Sequence, residues 1–170
     1  MSTWRESGFT IRLATLEGDW DALSALRSLV EQRVQAMGHD HTDMARGLDR
    51  MAGYVNADQL YTVRQMGRLV ACHALTPDGD PDFWTRQELA EDALYLDNAM
   101  VHPAHAHRGV GSLITRHAVD EAVKCGMSLL RLDCQRVPEL RAHWERLGFT
   151  HLRDVEVPGR ASGTLMEMTI

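Results

Sequence analysis

Residues 93–125 read ALYLDNAMVHPAHAHRGVGSLITRHAVDEAVKC. Ala93–Val101 is an apolar run of strand length, and His102–Arg108 is a polar loop containing Pro103. From Gly111 to Cys125, the residues Leu113, Ile114, Ala118, Ala122 and Val123 recur at helical spacing, and Gly126 supplies a stop. The join between strand and helix is Arg108-Gly109-Val110-Gly111-Ser112. Two glycines one residue apart, just ahead of a helix, leave backbone N–H groups uncovered by side chains. The positive end of the helix dipole adds to them, so the turn suits a phosphate or pyrophosphate. A Walker A loop needs a Lys after its last glycine, and Ser112 stands there. The dinucleotide fingerprint needs a third glycine where Ile114 stands. Taken alone, the turn is also compatible with a plain helix start.

Outward from this segment the pattern is regular. Phe9–Leu13 alternates as a strand. Glu17–Met37 places Trp20, Leu23, Leu26, Val30, Val34 and Met37 on one helical face, with Asp19 as N-cap and Gly38 as stop. His39–Tyr54 reads as a second helix carrying Met44, Leu48 and Met51. Leu60–Val63 and Leu69–Ala74 form a hairpin about Gln65-Met66-Gly67. Thr76–Pro81 is a loop, and Phe83–Asp92 a short helix or excursion. Leu129–Cys134 is a strand, and Pro138–Leu147 a helix with Pro at its first turn and Gly148 beyond its end. Phe149–Val157 and Thr164–Ile170 are the last strands, about a Pro158-Gly159 turn. The order is β-α-α-β-β-(α)-β-α-β-α-β-β, an α/β (α+β) chain. Its 170 residues fit a single domain, residues 1–170, able to build a full core.

Composition narrows the function. With 18 Lys plus Arg against 24 Asp plus Glu, the net charge is −6, which argues against general nucleic-acid binding. Cys72, Cys125 and Cys134 are odd in number and show no CxxC pair, as expected of reduced thiols in a cytoplasmic protein. No run approaches the roughly 18 apolar residues of a membrane span, and residues 1–10 lack the apolar core of a signal peptide. His102, His105 and His107 have no Cys or acidic partner at ligand spacing, so no metal site is expected.

Further motifs add to the glycine turn: Met100-Val101-His102-Pro103 before it, Leu129–Asp133 after it, and then Trp144-Glu145-Arg146-Leu147-Gly148-Phe149. Together they resemble the GNAT superfamily of acyl-CoA-dependent N-acetyltransferases. The resemblance covers Ala93–Glu156 closely and the N-terminal half through element order. It implies a mixed, bent sheet of six or seven strands with helices on both faces, whose fourth and fifth strands splay around acetyl-CoA (coenzyme A). It implies that the backbone of His107, Arg108, Gly109, Val110, Gly111 and Ser112 holds the pyrophosphate. The strand from Ala99 through Met100 to Val101 would pair with the pantetheine arm. The amides of Ala99 and Val101 would polarise the thioester carbonyl, aided by a bulge near Asn98-Ala99. Homodimers are common in the family.

Three positions depart from its pattern. Ala106 replaces the Gln or Arg that opens the phosphate motif, leaving Arg108 as the local positive charge. Val137 stands where an Asn is frequent. Trp144 replaces the Tyr that often protonates the CoA thiolate, which an indole N–H cannot do. Water, another group such as Tyr95, or no acid at all would then serve.

An alkylammonium must lose a proton before it attacks a thioester. Tyr95 and Asp97 project from one face of their strand, and Asp97 is the first candidate for a water-assisted base. The alternative is a polar end to a buried strand. His73 is a weaker candidate. Phe83, Trp84 and Tyr54 either line the acceptor pocket or pack in the core, and Glu88, Glu91 and Asp92 are expected on a solvated face. His39-Asp40-His41 reads as a solvated loop. The leading expectation is direct acetyl transfer to a primary amine of a small molecule, in a ternary complex without a cysteine carrier. Acetylation of a protein or peptide, and a non-catalytic CoA-binding sensor, stay open.

Overall fold

A computed structural model describes residues 3–38 and 44–170. His39-Asp40-His41 lies outside the described residues. Among the described residues, eight strands are hydrogen-bonded in one sheet in the order Trp4–Glu6, Phe9–Leu13, Leu60–Gln65, Arg68–Thr76, Ala93–Val101, Leu129–Gln135, Ser162–Thr169 and Thr150–Asp154, one more than the upper expectation of seven. The chain forms two compact units, residues 1–74 with 98–114, and residues 75–97 with 115–170.

In the first unit, β1 (Trp4–Glu6) pairs antiparallel with β2 (Phe9–Leu13). Its turn, Ser7 and Gly8, has φ of 50° and 81°, the left-handed pair that suits the twist of a hairpin. This is the strand the sequence did not suggest, because three residues are too few to show alternation. Next come α1 (Leu16–Ala36), α2 (Met44–Asn56), β3 (Leu60–Gln65) and β4 (Arg68–Thr76), with β2-β3-β4 antiparallel. The β3–β4 turn is Met66-Gly67, again left-handed at both residues. Leu23 and Leu26 of α1 pack with Met51, Val55, Leu60, Cys72, Ala74 and Met100, and Trp20, Val30 and Tyr54 cover the edge of that core. Met37, expected on this face, is exposed.

The N-cap of α1 is Thr15, whose Oγ1 accepts from the Gly18 N–H at 3.2 Å, and not Asp19. Asp19 is fully buried one turn inside. It accepts from Arg12 at 2.9 Å, from Arg64 at 2.6 Å and from the Thr15 N–H at 2.8 Å. Burial alone would push its carboxyl up, but the hydrogen bonds from Arg12, Thr15 and Arg64 outweigh it and hold the pKa down at about 2.

In the second unit, β5 (Ala93–Val101) begins parallel to β6 (Leu129–Gln135). Their register covers only Ala93–Tyr95, although β5 runs on to Val101. Then α4 (Pro138–Arg146) leads to β7 (Thr150–Asp154) and β8 (Ser162–Thr169), both pairings of β8 being antiparallel.

Between β4 and β5, residues 77–92 form a strap with one three-residue helical turn, Glu88–Ala90. Glu91 and Asp92 are exposed, as expected of a solvated face, whereas Glu88 is half-buried. Arg153 grips Glu88 at 2.6 and 2.7 Å, and Arg131 pairs with Glu91. Arg160 holds Asp80 at 2.8 Å and stacks on Phe83. Phe83 and Trp84 are core residues, clustered with Ala93, Tyr95 and Leu165.

Helix α3 (Val110–Lys124) begins in the first unit and ends in the second. Val110, Leu113, Ile114, Ala118 and Ala122 are buried, together with Thr115 and His117. Val123, placed on that face by spacing alone, is 60% exposed.

Candidate active site

The glycine turn has the geometry its sequence suggested. His107 and Gly109 both adopt left-handed φ, 61° and 79°. The first helical bond of α3 runs from the Leu113 N–H to the Gly109 carbonyl at 3.1 Å, so the turn from Val110 to Ser112 sits at the positive end of the helix. No acidic residue stands in that first turn to compete with an anion. A Cβ on Gly109 would meet nothing within 4 Å, so the space over the loop is open. Arg108 is exposed beside it. His102 Nδ1 accepts from the Ala104 N–H at 3.1 Å, and its ring meets that of His105 edge-on. Burial, then His102 and Arg108, lower the pKa of His105. Among the described residues no group of three His, Cys, Asp or Glu is disposed to hold a metal.

The end of β5 orders its backbone donors. Asn98 is left-handed, φ 48°, inside the strand, where the sequence expected a bulge. Its carbonyl accepts from Cys72 Sγ at 3.8 Å, Cys72 accepts from the Met100 N–H, and the His102 N–H reaches the Val70 carbonyl at 2.8 Å. Donors of successive strand residues point to opposite edges. Met100 and His102 therefore face β4, and the N–H groups of Ala99 and Val101 turn to the other edge. Ala99 is exposed, whereas the Met100 side chain is buried in the core. The Met100 N–H is engaged by Cys72 and its side chain by the core.

Asp97 is half-buried, one residue before the left-handed Asn98. Tyr95 is buried in the second unit's core, with its ring edge-on to Trp84 at 5.6 Å. Its hydroxyl accepts from Arg131 Nη1 at 3.4 Å. His73 is fully buried and stacks on Tyr61, which makes it a core residue. Trp144 on α4 packs edge-on against Phe149 and His143. Burial pushes the Cys72 and Cys134 thiols up to about 12, so neither is a thiolate at neutral pH. Arg27 and Glu31 on α1, unremarkable in sequence as an i,i+4 pair, are both buried and joined at 2.8 Å.

Residues 24–149 match the acetyltransferase (GNAT) family. The chain belongs to that family. Membership makes this acetyltransferase an acyl-CoA N-acetyltransferase with acetyl-CoA as its acyl donor, as the motifs implied. No curated protein matches the acetyltransferase by sequence. Among solved structures, a GNAT-family acetyltransferase from Listeria monocytogenes superposes with a TM-score of 0.79 at 17% identity, covering 99% of this chain and 100% of that one. The PaiA N-acetyltransferase from Thermoplasma acidophilum, in complex with coenzyme A, has a TM-score of 0.73 at 13% identity, covering 96% and 100%. An aminoglycoside acetyltransferase in complex with coenzyme A and kanamycin has a TM-score of 0.70 at 20% identity, covering 95% and 94%. At these identities the likeness shows the fold of the acetyltransferase.

Proposed function

We propose that this acetyltransferase moves an acetyl group from acetyl-CoA directly to a primary amine of a small molecule, within one domain of residues 1–170. The observation that carries the reading is the backbone of Ala99–His102. Met100 and His102 spend their N–H groups on β4, which leaves those of Ala99 and Val101 at the opposite edge, where an acyl arm can lie. The loop His107–Ser112 then takes the pyrophosphate, with Arg108 beside it. Acetyl-CoA supplies an activated carbonyl carbon and a thiolate that can leave.

Asp97 acts as the base. It takes, through a water, the proton that the substrate ammonium must lose before its nitrogen attacks. The new C–N bond forms as the C–S bond breaks, the electron pair leaves on sulfur, and the second proton of the attacking nitrogen passes to the CoA thiolate, directly or through water. Tyr95 serves as a fixed point in the core two residues before Asp97, since its hydroxyl already engages Arg131. The raised pKa values of Cys72 and Cys134 favour direct transfer over a cysteine carrier. The net charge of −6 favours a cationic acceptor, and one similar fold carries kanamycin, itself an amine.

The test is a panel of small amines assayed by CoA release, with wild type and Asp97→Asn compared across pH. Removing a general base costs roughly 10²–10⁴ in rate. The expected result is a loss in that range, with activity recovering toward high pH, where the free amine needs no base. An unchanged rate and pH profile would remove Asp97 from the role.

A further inference from the structure

Asn98, the residue just before Ala99 in the strand that carries the Ala99 and Val101 donors, is left-handed. An L-residue other than glycine occupies that conformation at a cost and needs local support. Asn98 receives it from α1. Arg27 Nη1 donates to Asn98 Oδ1 at 3.2 Å. Arg27 is 7% exposed, and its guanidinium pairs with Glu31 at 2.8 Å and lies against Met51 Sδ at 3.8 Å. A Cβ on Gly47 would overlap it, so α2 is close-packed on the guanidinium only because residue 47 is glycine. From the other side, Cys72 Sγ donates to the Asn98 carbonyl. Asn98 is thus held through its side chain by α1 and through its backbone by β4.

We propose that Arg27 is a positioning residue of the acetyl-transfer site. It fixes the left-handed turn at Asn98, and so aims the Ala99 and Val101 amides at the thioester carbonyl. Glu31 balances the charge that this requires in a buried place, and Gly47 leaves room for the planar guanidinium. A lysine cannot take this role, because it lacks the fork that reaches Glu31 and Asn98 together. The proposal rests on the reading that acetyl-CoA lies along the end of β5, and its test separates the two.

The measurement is the infrared carbonyl stretch of carbon-13-labelled acetyl-CoA, free and bound, alongside calorimetric affinity. Aimed amides lower the stretch of the bound carbonyl. Two variants are compared with wild type. In Arg27→Met/Glu31→Leu both partners are replaced, so no buried charge is orphaned. Asn98→Gly accepts the left-handed φ without strain but has no side chain for Arg27 to hold. In wild type the stretch is expected to fall on binding. In both variants most of that fall is lost, while affinity, set largely at the phosphate loop, stays close to wild type. Should the double variant fail to fold, Asn98→Gly decides. A full wild-type shift in either folded variant overturns the role of Arg27 and leaves the cofactor reading standing. Absence of acetyl-CoA binding, or of any shift, in wild type overturns both.

Discussion

Replacing Arg131 with methionine should be among the costliest single changes in the second unit. The side chain is only 2% exposed. Its Nε reaches Glu167 at 2.8 Å, its Nη1 reaches the Glu88 carbonyl at 2.7 Å, and its Nη2 pairs with Glu91. The guanidinium carbon lies 5.1 Å from the centre of the Trp84 ring. Methionine replaces the aliphatic stem but none of the donors. Breaking a buried pair from one side costs about 3–5 kcal/mol. Here Glu167 is 23% and Glu91 44% exposed, so both carboxylates can rehydrate once released. That places the loss near the lower end, about 3 kcal/mol. For a chain of this size a loss of 3 kcal/mol lowers Tm by roughly 6–12 °C. Glu91→Gln, by contrast, touches a half-exposed partner and should cost less than about 1 kcal/mol. Urea unfolding and a thermal melt of the three proteins measure both numbers. The reasoning fails if Arg131→Met stays within about 1 kcal/mol of wild type, or if Glu91→Gln costs as much as Arg131→Met.

Three other expectations follow from single sites. Asp19 has a folded pKa of about 2 against an ordinary 3.8, so its contribution is complete above pH 4 and is lost as pH falls through 2. That shift is worth about 2 kcal/mol, and unfolding at pH 4 and pH 2 should show wild type losing that much more than Asp19→Asn over the interval. Gly79→Ala would set a Cβ 2.7 Å from both Leu89 Cδ2 and Tyr95 Cε1. Overpacking of this kind costs roughly 1–3 kcal/mol, and an unchanged melt would show that the strap is not held against Tyr95. Gly109→Ala meets no neighbour but forces a side chain to φ 79°. It should cost about 1 kcal/mol in stability and weaken acetyl-CoA binding, as calorimetry would show.

The parts of the fold legible in sequence were those whose signals are local. The glycine turn, the strand before it and the helix after it came out within a residue of their observed bounds. Pro138, Gly148 and Gly126 marked their helix ends because capping acts over one turn. What could not be read depended on distant partners. Asp19 and Thr15 are both good N-cap types, and Arg12 on β2 together with Arg64 on β3, 45 residues away, draws Asp19 inward. Glu88 looks solvated until β7 brings Arg153 to it. Arg27 and Glu31 have the spacing of an ordinary surface pair, and their burial follows from Gly47 and Asn98. The glycine turn is therefore visible in the sequence, while the support behind β5 is not.

The central claim is that the His107–Ser112 loop and the end of β5 form an acetyl-CoA site. Thermal unfolding with acetyl-CoA, CoA, NAD and ATP tests it most directly. A ligand at about 100 times its Kd adds roughly 2.7 kcal/mol, or about 5–11 °C for a chain of this size. The expected result is a rise of that order with acetyl-CoA and CoA, absent with NAD and ATP and reduced in Gly109→Ala. No rise with either CoA species, or an equal rise with NAD and ATP, would contradict it.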